Sequence, residues 1–133
     1  MASQAAVDKH RVTAVLVSHN GAVWLPEVVA ALTSQTRPID LITAVDTGSQ
    51  DASTKLLKSA RIPFISADVE TGFGQAISLA VNKLPQSVEH EWIWLIHDDC
   101  APAPTALAEL ITAIDDRPQV CLLYTSDAAD EED

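Results

Sequence analysis

Cysteine and basic residues are scarce in this chain of 133 residues. The two cysteines, Cys100 and Cys121, form no CxxC motif, which argues against a disulfide framework or a structural zinc site and favours a reducing compartment. Only 8 Lys and Arg stand against 19 Asp and Glu, and a formal net charge of −11 disfavours nucleic acid as a partner, because its phosphates would be repelled.

Long hydrophobic runs are also lacking. No run reaches the length of a membrane span, and residues 1–11 contain no apolar segment of the signal-peptide type. We therefore expect a cytoplasmic protein, which would lie at the inner face of the membrane only if a part beyond this chain supplies the attachment.

Hydrophobic residues make up 47% of the chain and alternate between two periodicities. Short apolar runs predict strands, and helical spacing predicts the segments between them. The predicted strands are residues 12–17, 41–45, 63–66 and 92–96, and the predicted helices are residues 25–34, 51–58, 74–84 and 104–114. This order predicts an α/β fold with an open, mostly parallel sheet and helices on both faces.

Two details of that prediction are specific. Asp51 is expected to be the N-cap of the second helix, and the uniformly apolar run 92–96 is expected to be a central strand, with Trp92 and Trp94 in the core.

The carboxyl ends of parallel strands share one edge of the sheet, where ligands of such folds bind. The residues that follow each strand are therefore the candidates for a site, whereas His10 and His90 are expected to be solvated.

The end of the chain differs from the rest. Residues 121–131, CLLYTSDAADE, resemble the translation of a transposase sequencing adapter, although a natural acidic tail is the alternative. We therefore divide the chain into an N-terminal extension (1–10), a partial domain (11–120) and a tail (121–133) that is expected not to be native.

Three polar clusters follow predicted strands. Ser18, His19, Asn20 and Gly21 follow the first strand. Asp46, Gly48 and Ser49 follow the second; a carboxylate there can accept the N–H of a pyrimidine, although Asp-x-Gly-Ser is equally good turn chemistry. His97, Asp98 and Asp99 follow the fourth and suit Mg²⁺ or Mn²⁺, with acids at a helix N-terminus as the alternative.

Gly72 and Gly74 flank Phe73 before the third helix, where the backbone can approach a phosphate or a sugar. This segment is not a dinucleotide fingerprint, because Ile77 stands where a third glycine is needed.

In this order, the segments SHNG, VDTGSQDAS, GFGQA and WLIHDDCAPAP resemble the family 2 glycosyltransferases of the GT-A fold, over residues 11–120. The resemblance implies an inverting transfer of a sugar from a UDP- or dTDP-sugar to a hydroxyl of a glycan or a lipid-linked acceptor. It implies that Asp46 contacts the nucleobase and that the loop of Ser18, His19 and Asn20 lines the nucleotide pocket. Gly48, Ser49, Gly72 and Gly74 complete the predicted nucleotide site.

The same resemblance implies a divalent metal. The family's Asp-x-Asp motif reads His97-Asp98-Asp99 here, so a histidine replaces the first acid and Asp99 is expected to be the main ligand. The general base is expected beyond Val120, and the chain alone is expected to be inactive.

Two other classes of protein are alternatives. A non-catalytic nucleotide-binding or regulatory module is the main alternative, and His97 in place of an acid favours it. A nucleotidyltransferase would carry a basic, glycine-rich loop after the first strand, and SHNG has no Lys or Arg.

Overall fold

The computed structural model describes residues 9–84 and 91–116. Strands and helices alternate strictly over these residues: β1 (Arg11–Ser18), α1 (Leu25–Thr33), β2 (Leu41–Thr47), α2 (Ser53–Ser59), β3 (Phe64–Ala67), α3 (Phe73–Asn82), β4 (Glu91–His97) and α4 (Ala106–Asp116). All eight predicted elements are therefore present, with bounds within two residues of those expected.

The four strands form one parallel sheet in the order β3-β2-β1-β4. The register pairs Ser18 with Asp46, and Val17 with His97, so the last residues of three strands lie side by side. The three polar clusters of the sequence therefore do meet at one edge of the sheet.

The core has two layers because side chains alternate along each strand. Ala14 and Leu16 of β1 pack with residues of α1 and α2, and Val12 packs with residues of α4. Val15, on the opposite face, packs with Ala76 and Ala80 of α3. The sheet is thus covered by helices on both faces, which confirms the predicted fold class.

The sequence prediction was wrong about the position of β4. Within the described residues this strand pairs only with β1, so it is an edge strand of the sheet, and Leu95 is 44% exposed. An apolar run predicts that a strand is buried on both faces, but it cannot show which neighbours are present. Trp92 and Trp94 are half-buried and pack against the core, as expected.

Two smaller expectations were also wrong. The N-cap of α2 is Ala52, and Asp51 lies one residue earlier, where its carboxylate accepts the N–H of Ser53. The side chain of His10 is only 9% exposed, because it lies between Trp92 and Asp115. His90 and the tail 121–133 lie outside the described residues. Among the described helices, none is long and apolar enough to cross a bilayer.

Candidate functional site

The candidate site lies at the carboxyl edge of the sheet, where three loops meet. We refer to residues 18–22 as loop 1, residues 46–53 as loop 2 and residues 97–100 as loop 4. They include the last residues of β1, β2 and β4, which the sheet register holds in line.

Asp46 is the buried acid of this site, with 3% of its surface exposed. Its Oδ1 accepts hydrogen bonds from the hydroxyls of Ser18 (2.7 Å) and Ser49 (2.6 Å), and its Oδ2 accepts the N–H of Ser49 (3.0 Å). A carboxylate has about four acceptor positions, so roughly one remains, on Oδ2. Asp46 therefore joins loops 1 and 2, and one acceptor position on its Oδ2 has no hydrogen-bond partner among the described residues.

Loop 1 donates four consecutive backbone N–H groups to side chains of the other loops. The N–H groups of Asn20 and Gly21 bond to the hydroxyls of Ser49 (2.8 Å) and Ser53 (3.0 Å). The N–H of Ala22 bonds to Asp51 (3.0 Å). The N–H of His19 bonds to Asp98 (2.8 Å). Since each of these donors already has a protein partner, loop 1 is not a backbone cradle for phosphate of the kind that glycine-rich loops form.

The side chains of loop 1 bond to loop 2 as well. Nδ1 of His19 lies 2.6 Å from the carbonyl oxygen of Thr47, which can only accept, so this nitrogen carries the hydrogen. Asn20 adopts a left-handed backbone conformation (φ 49°), which asparagine tolerates, and its Oδ1 accepts the N–H of Gln50 (2.7 Å). Loops 1 and 2 therefore form one hydrogen-bonded unit.

Two glycines allow close approaches between the loops. A Cβ on Gly21 would lie 2.4 Å from Oδ2 of Asp98. A Cβ on Gly48, whose φ is +70°, would lie 2.8 Å from the Cβ of Val69. By contrast, no atom lies within 4 Å of where a Cβ would stand on Gly72 or Gly74. The space beside the start of α3 is therefore open. This is the place where the sequence predicted an approach to a phosphate or a sugar.

The three residues proposed as metal ligands differ in their surroundings. Asp98 is half-buried and uses one oxygen for the N–H of His19, whereas Asp99 is exposed and makes no hydrogen bond to the described residues. The ring of His97 stacks on Phe73, with centroids 4.3 Å apart and planes 14° apart. Over the described residues, no three His, Cys, Asp or Glu side chains converge to hold an ion by themselves.

Sequence reasoning missed three contacts at this edge. These are the bond of Ser53 to loop 1, the bond of Asp98 to His19 and the stack of His97 on Phe73. The sequence Asp51-x-Ser53 is a recognisable local turn pattern, but nothing in it shows a partner some thirty residues earlier in the chain.

The parallel sheet with its covering helices is an α/β fold of the GT-A type. The model of the family described as glycosyl transferase family 2 matches residues 13–133, and the chain belongs to this family. No curated protein matches the chain.

Solved structures similar to this chain include proteins from two bacteria. TarS 1–349 of S. aureus is 16% identical with a TM-score of 0.63, and the match covers 81% of this chain and 33% of that one. Glucosyl-3-phosphoglycerate synthase from Mycobacterium tuberculosis, in complex with Mn²⁺, UDP and glucosyl-3-phosphoglycerate, is 16% identical with a TM-score of 0.64, and the match covers 80% and 40% of the two chains. TarS 1–349 has also been solved in complex with UDP. The chain thus spans well under half the length of these relatives.

Proposed function

We propose that this chain is the donor-binding part of an inverting glycosyltransferase that uses a UDP- or dTDP-sugar. The observation that carries the proposal is the bonding of loops 1, 2 and 4 into one edge that ends in the acids of β4. Membership of glycosyl transferase family 2 supports transfer from a nucleotide sugar, and two similar structures contain UDP.

The nucleobase would lie against loop 2. The remaining acceptor position of Asp46 suits the ring N3–H of uracil or thymine, and adenine has no donor at the matching place. Ser18 and Ser49 fix this carboxylate, and the missing side chain of Gly48 lets this part of loop 2 lie against Val69. His19 and Asn20 would line the same pocket from loop 1, and the open start of α3, with Gly72 and Gly74, would face the rest of the donor.

The diphosphate needs positive charge that loops 1, 2 and 4 do not provide. The N–H groups of loop 1 already have partners, and loops 1, 2 and 4 contain no Lys or Arg. A divalent cation fits this gap, since Asp99 is exposed and unengaged among the described residues and carboxylate oxygens suit Mg²⁺ and Mn²⁺.

Asp99 would be the main protein ligand of such a cation, with the second oxygen of Asp98 and a nitrogen of His97 assisting directly or through water. Because these side chains do not form a closed set of ligands, oxygens of the diphosphate and water would complete the coordination. The bound cation would supply charge that stabilises the departing nucleoside diphosphate.

The reaction itself is a displacement at the anomeric carbon of the donor sugar. A general base removes the proton of the acceptor hydroxyl, the oxygen forms the new glycosidic bond, and the bond to the diphosphate breaks, which inverts the anomeric centre. We propose that this base lies in sequence beyond Val120. The residues described here would bind and orient the donor.

A non-catalytic nucleotide-binding module is the second candidate, and the histidine at position 97 favours it. The two are separated by incubating UDP- and dTDP-sugars and a hydroxyl acceptor with a protein that carries the complete family domain. Formation of a glycoside of inverted configuration supports the transferase. Tight nucleotide binding with neither transfer nor donor hydrolysis would favour the binding module.

A further inference from the structure

Ser53 and Asp51 make a linked set of hydrogen bonds from loop 2 to loop 1. The hydroxyl of Ser53 donates to Oδ1 of Asp51 (2.6 Å) and accepts the N–H of Gly21 (3.0 Å). Oδ2 of Asp51 accepts the N–H of Ala22 (3.0 Å). Ser53 is fully buried and Asp51 is exposed, so the pair joins the surface of loop 2 to the interior of loop 1.

This pair is more than the start of a helix. Capping or turn formation would account for the N–H of Ser53, which bonds to Asp51 two residues earlier. It does not account for the bonds to Gly21 and Ala22, which lie about thirty residues away in sequence. Ser49 bridges Asn20 and Asp46 in the same way, so two serines of loop 2 each join an acid to a backbone N–H of loop 1.

The position of loop 1 in turn determines the surroundings of Asp98. The N–H of His19 bonds to Oδ2 of Asp98, and Gly21 lies so close to that carboxylate that a Cβ would not fit. The carbonyl oxygen of Gly21 also accepts the N–H groups of Trp24 and Leu25 at the start of α1. A shift of Gly21 would therefore move the acid that precedes Asp99.

We propose that Asp51 and Ser53 are positioning residues of the donor site: by holding Gly21 and Ala22 they keep loop 1 against Asp98 and so place the carboxylates of loop 4 for a metal–diphosphate ligand. This inference rests on the proposed function. Neither residue touches the ligand, and both act through the backbone of loop 1.

The charge of Asp51 strengthens this arrangement. The hydroxyl of Ser53 lowers the pKa of Asp51 most, desolvation opposes that effect, and the N–H groups of Ala22 and Ser53 lower the pKa further. Because Asp51 is ionised at neutral pH, its bonds to Ala22 and Ser53 are charge-assisted and stronger than neutral ones.

The test combines backbone amide exchange with ligand binding in the 133-residue chain. Ser53→Ala and Asp51→Asn are compared with Ser59→Ala, which removes an exposed hydroxyl from the other end of α2, and with Glu27→Gln, which removes an exposed acid near loop 1. Exchange of the Gly21 and Ala22 amides is followed by NMR, and UDP binding is measured by calorimetry over a range of Mn²⁺ concentrations.

We expect Ser53→Ala and Asp51→Asn to speed exchange at Gly21 and Ala22 and to weaken Mn²⁺-dependent UDP binding by about tenfold. The controls should change neither quantity. The double variant should lose no more affinity than the weaker-binding single variant, because the two residues act through the same bonds. Asp51 is exposed, so Asp51→Asn carries the test if Ser53→Ala does not fold.

Two other results would overturn the proposal. Faster exchange with unchanged Mn²⁺-dependent UDP binding would show that the pair only stabilises loop 1, and the proposed function would stand. No UDP binding by the unmodified chain, with or without Mn²⁺, would overturn both the proposed function and this inference.

Discussion

Gly21 lies directly against the carboxylate of Asp98, at a distance that leaves no room for a Cβ. This contact joins the end of β1 to the end of β4, and the bond from the N–H of His19 to the same carboxylate reinforces it. The glycine of loop 1 is therefore needed for the position of an acid about 77 residues later in the chain, a separation that no local sequence pattern spans.

Gly21→Ala tests this contact. The new methyl group would meet Oδ2 of Asp98 at 2.4 Å, so the acid must move, at a cost of about 1–3 kcal/mol in unfolding free energy and a loss of Mn²⁺-dependent UDP affinity. Gly74→Ala is the matched control for stability, because a Cβ there meets no atom within 4 Å, and alanine in a helix should raise stability by about 0.4–1 kcal/mol. Chemical denaturation measures the unfolding free energy of both variants. A Gly21→Ala variant as stable as the parent would contradict the contact.

Asp99→Asn should remove the dependence of UDP binding on Mn²⁺. The exposed carboxylate of Asp99 is the open acid at the end of β4, and an amide is a weaker ligand for a hard cation. Asp116→Asn, which removes an exposed acid at the end of α4, should leave binding unchanged. Calorimetry with and without Mn²⁺ measures UDP binding by both variants. If the dependence survives in Asp99→Asn, the metal is held elsewhere.

The lowered pKa of Asp51 predicts how stability depends on pH. A group with a lowered folded-state pKa stabilises the protein above its ordinary pKa of 3.8, and this contribution is lost as pH falls through the folded-state value. The parent should therefore melt at a higher temperature than Asp51→Asn at neutral pH, and the two midpoints should converge in acid. The effect should be modest, because Asp51 is exposed. A difference in melting temperature that stays constant as the pH falls below 3.8 and on to the folded-state pKa would contradict the stabilising role of the Asp51 carboxylate.

His10 should contribute to stability at the opposite edge of the sheet. Its Nδ1 accepts the indole N–H of Trp92 (3.1 Å), and its Nε2 bonds to Asp115 (2.8 Å), which joins the start of β1 to β4 and α4. His10→Ala leaves the indole N–H without this acceptor and should cost about 1–3 kcal/mol. Glu109→Gln, on an exposed position of α4, is the control in denaturant titrations. A loss below about 0.5 kcal/mol would show that the bonds contribute little.

The sequence predicts the framework of this fold well, because strand and helix periodicities are local. The short apolar runs of β1 and β2 were enough to predict both strands. Parallel pairing then places Ser18 and Asp46 at the same edge. That β4 pairs with only one strand among the described residues could not be predicted in this way, since an apolar run carries no information about which strands lie beside it.

The site was predicted as a set of residues but not as a network. Which hydroxyl bonds to which N–H depends on rotamers and on loops some thirty residues apart, so the role of Ser53 was not visible. The pattern His97-Asp98-Asp99 predicted Asp99 as the main ligand with the other two assisting, but it could not show that Asp98 is bonded to loop 1 or that His97 is stacked on Phe73. Adjacent residues at the end of a strand alternate in direction, and this separates their environments.

The most direct test of the account is calorimetric binding of UDP and ADP to the unmodified protein, with and without Mn²⁺. If Asp46 accepts the ring N–H of a pyrimidine, adenine leaves that buried acceptor unmet at a cost of about 1–3 kcal/mol. We therefore expect UDP to bind roughly tenfold to a hundredfold more tightly than ADP, and only when Mn²⁺ is present. Asp46→Ala should abolish most of this preference. Equal affinity for UDP and ADP in the unmodified protein would contradict both the role of Asp46 and the proposed use of a UDP- or dTDP-sugar.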